Sequence, residues 1–239
     1  FNTGVVRVPI VPAAILFDLG LGRADRRPDA EMGYLACQNA SNGNVAEGNA
    51  GAGTGASVGK IFGMKQAMKA GVGTASMEVG GGVIVGALVA VNAFGDVVDP
   101  VSGQIIAGAR SAKIGPIQLG APGYFADTLS VMKTFAGRAI LNIATRANTV
   151  IGVVATNARF TKSEATKMAQ MAQDGLARAI RPAHTMLDGD TIFAMATGQK
   201  KADVSIVGAY AAEVLARAIV QAVNMAKPAG GLPAASRLL

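Results

Sequence analysis

The apolar run over residues 83–93, which contains a single polar residue, Asn92, most restricts how this chain can fold. A strand with apolar side chains on both sides of its backbone needs cover on both faces, so its sheet must lie between layers. Residues 96–100 then turn the chain into a second run, 104–107, as in a hairpin. Further β-rich runs cover 149–155 and 192–196. The chain is therefore predicted to form a buried, layered sheet.

Helical patterns separate and follow these runs. Thr161-Lys162-Ser163-Glu164 is a capping box that predicts a long helix to about residue 180. The other predicted elements are a strand over 5–17, helices over 28–40, 129–145 and 203–225, and a loop over 109–123. Strands in runs followed by long helices favour a layered α/β or α+β architecture over a doubly wound sheet.

Composition excludes several classes of protein. An apolar share of 51% with 15% charged residues is enough to form a large core in 239 residues, which argues against disorder. The net charge of +7 is scattered, and with 8 Phe, 3 Tyr and no Trp few rings can stack on bases, so no nucleic-acid partner is expected. The apolar stretch 79–95 is too short and too rich in glycine to span a membrane.

The chain has one cysteine, Cys37, and one histidine, His184. A single cysteine cannot form an intrachain disulfide, which favours the cytoplasm. Histidine-rich zinc sites, CxxC clusters and c-type haem sites are excluded as well, because the chain lacks their ligands. A general base must be His184, a carboxylate, a lysine or an amine. His184 itself follows Pro182 at a helix end, where its side chain is predicted to satisfy backbone carbonyls.

The glycine-rich segment 43–59 leaves three interpretations open. Residues 55–59 match G-x-S-x-G, the turn that exposes a nucleophilic serine. The same segment nearly matches phosphate- and dinucleotide-binding loops. It is equally compatible with a tight buried loop that directs Lys60 toward a site. Further along, Asp188-Gly189-Asp190 is either a turn with solvated acids or a functional pair of carboxylates.

Longer motifs resemble those of the self-cleaving L-aminopeptidase/D-esterase (DmpA) family. Residues 148–198, NTVIGVVATNARFTKSEATKMAQMAQDGLARAIRPAHTMLDGDTIFAMATG, resemble its small subunit. RPDAEMGYLACQNAS, GNAGAGTGASVGK and AVNAFGDVVDPVSGQIIAGA resemble its large subunit. The resemblance implies a single α+β domain, a four-layer αββα sandwich, without the N-terminal part of the family precursor. It also implies self-cleavage between Asn148 and Thr149 into a large-subunit portion, 1–148, and a small subunit, 149–239.

The resemblance further implies a set of catalytic residues. Thr149 would be the nucleophile, activated by its own freed α-amine, whose reference pKa is about 7.7 to 8.0. Asn92 would stabilise the oxyanion, and Lys60 would tune or orient the nucleophile. Asp188 and Asp190 would hold the Thr149 amine and Lys60 in a charge-assisted network. The family acts without a metal or cofactor on short peptides or amides that carry a free amine, and its members are homo-oligomers.

Three positions depart from the family pattern. Phe17 stands where some members have tyrosine, and Ala147 and Val150 flank the scissile pair where relatives often have glycine and threonine. Two other functions remain open at this point. One is an acyltransferase of the ornithine acetyltransferase type, and the other is a non-enzymatic protein that binds anions or nucleotides through segment 43–59.

Overall fold

The computed structural model describes residues 1–114, 117–120, 123–143 and 148–237. The strands are β1 (Ser57–Val58), β2 (Met68–Lys69), β3 (Val72–Glu78), β4 (Ile84–Asn92), β5 (Asp96–Val98), β6 (Ile105–Ala107), β7 (Ala112–Ile114), β8 (Ile117–Leu119), β9 (Thr149–Ala158), β10 (Ile180–Arg181) and β11 (Thr191–Lys200). The helices are α1 (Ala30–Gln38), α2 (Thr128–Met132), α3 (Phe135–Ile143), α4 (Lys162–Ala179) and α5 (Val204–Asn224).

A four-stranded sheet in the order β11-β9-β4-β3 forms the centre of the fold. β11 runs parallel to β9, and the other pairs are antiparallel. The β4–β9 register places Val89 opposite Gly152 and ends with Asn92 opposite Thr149. Two residues that are 57 positions apart in sequence are thereby neighbours across two strands.

Helices α4 and α5 cover one face of this sheet and pack closely against each other. An added Cβ at Gly175 of α4 would overlap the Ala212 carbonyl of α5, and one at Gly73 of β3 would overlap the Ala218 carbonyl. Glycine therefore allows both close approaches. By length and composition alone α5 would pass as a membrane span, but most of its apolar stretch is buried in this core.

The predicted helix starts agree well with the structure. Thr161 caps α4, and the reciprocal bonds between Thr161 and Glu164 form the capping box. Asp203 caps α5 by accepting from the Ser205 and Ile206 N–H groups. The predicted hairpin between the runs 83–93 and 104–107 is wrong, because residues 96–98 of the expected turn form β5, which pairs with β6, while β4 belongs to the four-stranded sheet. The region 129–145 contains most of α2 and all of α3, with residues 144–145 outside the described residues.

Several predicted elements are wrong. Residues 5–17 form no strand but a largely exposed segment whose one bridge joins Arg7 to Asn2, and Pro9 and Pro12 lack the N–H groups that a ladder needs. Residues 109–123, predicted as a loop, contain β7 and β8, which pair with each other, while residues 115–116 and 121–122 lie outside the described residues. β4 was expected to be covered on both faces, yet Ile84 is 49% and Leu88 38% exposed on the face away from the helices. Cover on that face is confined to the end that carries Asn92.

A second, smaller apolar cluster supports the loops at that end. It comprises Ile61, Phe94, Ala109, Ala126 and Val131, with Leu187 packed against its edge. Its members, together with Leu187, include a near neighbour in sequence of each of Lys60, Asn92 and Asp188, so the cluster holds these three segments of backbone together.

Candidate active site

Thr149 begins β9 at the end of the central sheet. Side chains alternate along β9, with Val150 fully buried toward the helices and Thr149 half-buried on the opposite face. Asn92, its cross-strand partner, lies on the same face and is 1% exposed. The preceding residue, Asn148, is 5% exposed. The bond between Asn148 and Thr149 is therefore held inside the fold.

The Asn148 carbonyl oxygen accepts two hydrogen bonds. Thr149 Oγ1 donates to it at 2.6 Å, and the Gly189 N–H donates at 2.8 Å. A Cβ at Gly189 would lie 3.2 Å from Thr149 Oγ1, so glycine leaves room for the hydroxyl. The bond at which the family resemblance implies cleavage thus has a hydroxyl beside it and an N–H donor on its oxygen.

Lys60 reaches the same end of the sheet through Asn92. Its Nζ donates to Asn92 Oδ1 at 2.6 Å and to the Asn92 carbonyl oxygen at 3.1 Å. Burial lowers the pKa of Lys60 to about 7, and the charges of Asp188 and Asp18 oppose this shift. A large fraction of Lys60 is therefore a neutral amine at neutral pH, which can accept a proton.

Asn92 makes contacts that the sequence did not indicate. Its Oδ1 also accepts from the Ser57 N–H at 3.2 Å, and its Nδ2 donates to the Phe17 carbonyl oxygen at 3.0 Å. The amide group that was expected to stabilise an oxyanion is thus bonded to the backbone of segment 5–17. Phe17 therefore contacts Asn92 through its backbone carbonyl oxygen, not through a side-chain hydroxyl such as the tyrosine of some family members would offer. The oxyanion role of Asn92 stays a prediction.

Only the end of the glycine-rich segment, residues 55–59, is continuously buried, whereas residues 43–46 are exposed. Ser57 is 1% exposed within β1, so it does not form the exposed serine turn that G-x-S-x-G would require. The carbonyl oxygens of Gly53 and Ala56 converge on the fully buried Lys69 Nζ at 2.7 and 2.8 Å. Loop carbonyls that surround an ammonium group have the wrong polarity for a phosphate, which argues against the anion-binding interpretation.

Asp188 and Asp190 organise the backbone around Thr149. Asp190 Oδ1 accepts from the Val150 N–H at 2.9 Å, while Asp188 Oδ1 accepts from the Phe94 N–H at 3.2 Å. Burial raises the pKa of Asp190, and the Val150 N–H opposes the shift. The alternative of a turn with solvated acids is therefore wrong, because both carboxylates are bonded inside the site.

His184 contacts Asp190. Its Nδ1 lies 3.1 Å from Asp190 Oδ2, and its backbone N–H donates to the same oxygen at 3.3 Å. His184 has φ of +54°, in the left-handed region that non-glycine residues rarely adopt. The prediction that it satisfies carbonyls at a helix end is wrong, because its side chain pairs with a carboxylate of the site.

The structure brings together all of the residues predicted from the sequence, which are Lys60, Asn92, Asn148, Thr149, Asp188 and Asp190. Sequence reasoning missed the Gly189 N–H, the Ser57 contact and the position of His184. Ala147 lies outside the described residues. Within the described residues, no group of three or more His, Cys, Asp or Glu is placed to hold a metal ion.

Comparison with known proteins places the whole chain in one family. The model of peptidase family S58 matches residues 2–236. An uncharacterized aminopeptidase of Mycobacterium leprae is 43% identical over 249 residues, or 95% of this chain and 64% of the relative. The 6-aminohexanoate-oligomer endohydrolase of Paenarthrobacter ureafaciens is 28% identical, over 92% of this chain and 63% of its own length. The chain spans just under two thirds of the length of these relatives.

Two solved structures share the fold. A Burkholderia β-aminopeptidase superimposes with a TM-score of 0.55 at 24% identity, covering 88% of this chain and 57% of its own. The L-aminopeptidase D-Ala-esterase/amidase of Ochrobactrum anthropi, a variant of the Ntn-hydrolase fold, gives 0.55 at 22% identity, over 83% and 50% of the two chains. The resemblance and the α+β fold class predicted from the sequence are confirmed.

Proposed function

Because this chain belongs to peptidase family S58, we propose that it is a self-processing amidohydrolase of the aminopeptidase type with Thr149 as its nucleophile. The observation that carries the proposal is the contact of Thr149 Oγ1 with the Asn148 carbonyl group, whose oxygen also accepts the Gly189 N–H. A buried peptide bond with a hydroxyl and an N–H donor on its carbonyl is arranged for an internal acyl shift.

Self-processing begins when Thr149 Oγ1 attacks the Asn148 carbonyl carbon. The neutral Lys60 amine takes the hydroxyl proton, and the Gly189 N–H holds the oxyanion. The C–N bond then breaks, the proton passes to the Thr149 nitrogen, and an ester joins Asn148 to Thr149 Oγ1. Water opens this ester to leave a carboxylate on Asn148 and a free amine on Thr149.

The processed enzyme uses the same hydroxyl on an external amide. The free Thr149 amine, with a reference pKa of about 7.7 to 8.0, accepts the hydroxyl proton and passes it to the leaving amine. Asp190 accepts a hydrogen bond from the N–H of Val150, the residue that follows Thr149. Its carboxylate therefore lies close to the new amino terminus. Every proton transfer uses a group of the chain itself, and no step requires a metal.

The substrates we propose are short peptides or amides with a free amine. This class agrees with the names of the relatives, which are aminopeptidases and hydrolases of 6-aminohexanoate oligomers. Small substrates also suit the site, since the cavity beside Thr149 has a volume of about 380 Å³.

Intact-mass spectrometry and an amidase assay test the proposal together. We expect the purified protein to consist of fragments 1–148 and 149–239, with the second fragment beginning Thr-Val-Ile-Gly, and to hydrolyse aminoacyl p-nitroanilides. An uncut chain that hydrolyses none of these compounds would contradict the proposal.

Gly189 offers a separate test of the oxyanion donor. Gly189→Pro removes the N–H that contacts the Asn148 carbonyl, and we expect self-cleavage to slow by about 100-fold or more. Gly189→Ala keeps the N–H and is the matched control, although its Cβ would lie 3.2 Å from Thr149 Oγ1. The measurement is the rate of fragment formation in the two variants, with circular dichroism to verify folding. Equal rates in both would exclude the Gly189 donor.

A further inference from the structure

The ester formed in self-processing is itself an acyl-enzyme. In it an acyl group is bonded to Thr149 Oγ1 beside a free Thr149 amine, as it would be during turnover of an external amide. The two intermediates differ only in the acyl group, which is the chain ending at Asn148 in one case and the substrate in the other. The surroundings of Asn148 therefore report which acyl group the site accepts, an inference that rests on the proposed function.

The Asn148 side chain is specifically recognised. Asn148 is only 5% exposed, and its side-chain Nδ2 donates to the Leu187 carbonyl oxygen at 3.2 Å. The backbone of Asn148 forms a parallel β-bridge with Asp188. In this bridge the Gly189 N–H donates to the Asn148 carbonyl oxygen. The site thus fixes the scissile carbonyl group. It also fixes the side-chain amide N–H of Asn148, which is carried by Cγ, the third carbon from the carbonyl carbon.

The acceptor for that donor is held rigidly. Thr185 Oγ1 and N–H donate to Asp188 Oδ2 at 2.6 and 3.2 Å, and the Leu187 N–H donates to Thr185 Oγ1 at 3.2 Å. The Leu187 side chain packs against the smaller apolar cluster. A carbonyl oxygen fixed in this way selects its partner without the cost of ordering a loop.

The cavity at Thr149 is formed by the same segment. It is lined by Asn148, Thr149, Thr185, Met186, Leu187, Asp188 and Gly189. The Leu187 carbonyl oxygen carries a partial negative charge and the Asp188 carboxylate a full one. An N–H donor is therefore favoured in this cavity, and an anion is disfavoured.

We propose that the processed enzyme prefers substrates with an asparaginyl acyl group, which occupies the place of Asn148 with its side-chain amide on the Leu187 carbonyl. Thr149 Oγ1 forms a bond to the asparaginyl carbonyl carbon as the bond to the leaving amine breaks. The hydroxyl proton passes through the Thr149 amine to that leaving group. Water then opens the ester, releases asparagine and restores the hydroxyl.

Three p-nitroanilides of similar acyl size test the preference, namely the L-asparaginyl, L-leucyl and L-aspartyl compounds. With the processed protein we expect kcat/KM for the leucyl compound to be about tenfold or more below the asparaginyl value, because the buried carbonyl loses its donor. The aspartyl compound should be the poorest, since its carboxylate faces the Leu187 oxygen and Asp188. A leucyl or aspartyl value equal to the asparaginyl one would overturn the inference.

The same comparison can be made within the chain. Asn148→Leu and Asn148→Asp should slow self-cleavage by about tenfold or more, and cleavage of either at the parent rate would count against the pocket. These outcomes are distinct from failure of the proposed function. In that case the parent chain stays uncut, or the cut protein hydrolyses none of the three anilides, and both proposals fall together.

Discussion

Thr149→Ala protein is expected to remain a single chain and to lose amidase activity by roughly 10⁴-fold or more. The hydroxyl is the group that attacks the carbonyl in both reactions, and no other hydroxyl contacts the Asn148 carbonyl oxygen among the described residues. The measurement is intact mass after overnight incubation, followed by anilide hydrolysis. Loss of the γ-hydroxyl and the γ-methyl group should leave the fold intact, because Thr149 lies on the half-exposed face of β9.

Two other variants separate loss of the nucleophile from loss of structure. Thr149→Ser keeps the hydroxyl and should still be cut, with a serine as the new amino terminus. Thr197→Ala removes an exposed threonine from β11 and should behave as the parent. If Thr149→Ala is cut between residues 148 and 149 and hydrolyses anilides as the parent does, another group is the nucleophile.

Local sequence patterns predicted the elements that carry the site. The β-branched run that begins at Thr149 became β9, and the box from Thr161 to Glu164 became the start of α4. Each of these signals lies within a few residues, where propensity and capping decide the structure. The catalytic assignments came instead from resemblance to a family, because Lys60, Asn92 and Thr149 are too far apart for spacing to relate them.

The contacts that were missed belong to backbone groups and to distant partners. The N–H of Gly189 and the carbonyl of Phe17 have no side-chain signature, so no residue pattern could indicate their roles. The glycines around Ser57 suggested a phosphate loop, whereas the structure uses the loop carbonyls to hold Lys69. The prediction of a strand over residues 5–17 was wrong for a related reason. A segment with high strand propensity forms a strand only when a partner strand supplies the hydrogen bonds.

Lys60→Met is expected to slow self-cleavage by about 100-fold or more and to abolish its pH dependence near neutrality. A lysine with the ordinary pKa of 10.5 is almost entirely protonated at pH 7, whereas burial lowers the pKa of Lys60 to about 7. The neutral amine is the form that accepts the Thr149 proton. Its share rises from roughly one tenth at pH 6 to nine tenths at pH 8. The cleavage rate of the parent should therefore increase about tenfold over this interval and then level off.

The measurement is the rate of fragment formation by newly synthesised chains, transferred to buffers between pH 5.5 and 9. Lys65→Met is the matched control, because Lys65 is exposed and, among the described residues, only its backbone oxygen takes part in a side-chain hydrogen bond, with Arg110. It should keep both the rate and the pH profile of the parent. Met at position 60 retains an apolar stem but has no amine, so its residual cleavage should vary little with pH. A parent rate that is flat between pH 6 and 8, or a Lys60→Met chain that is cut as fast as the Lys65→Met chain, would exclude Lys60 as the base.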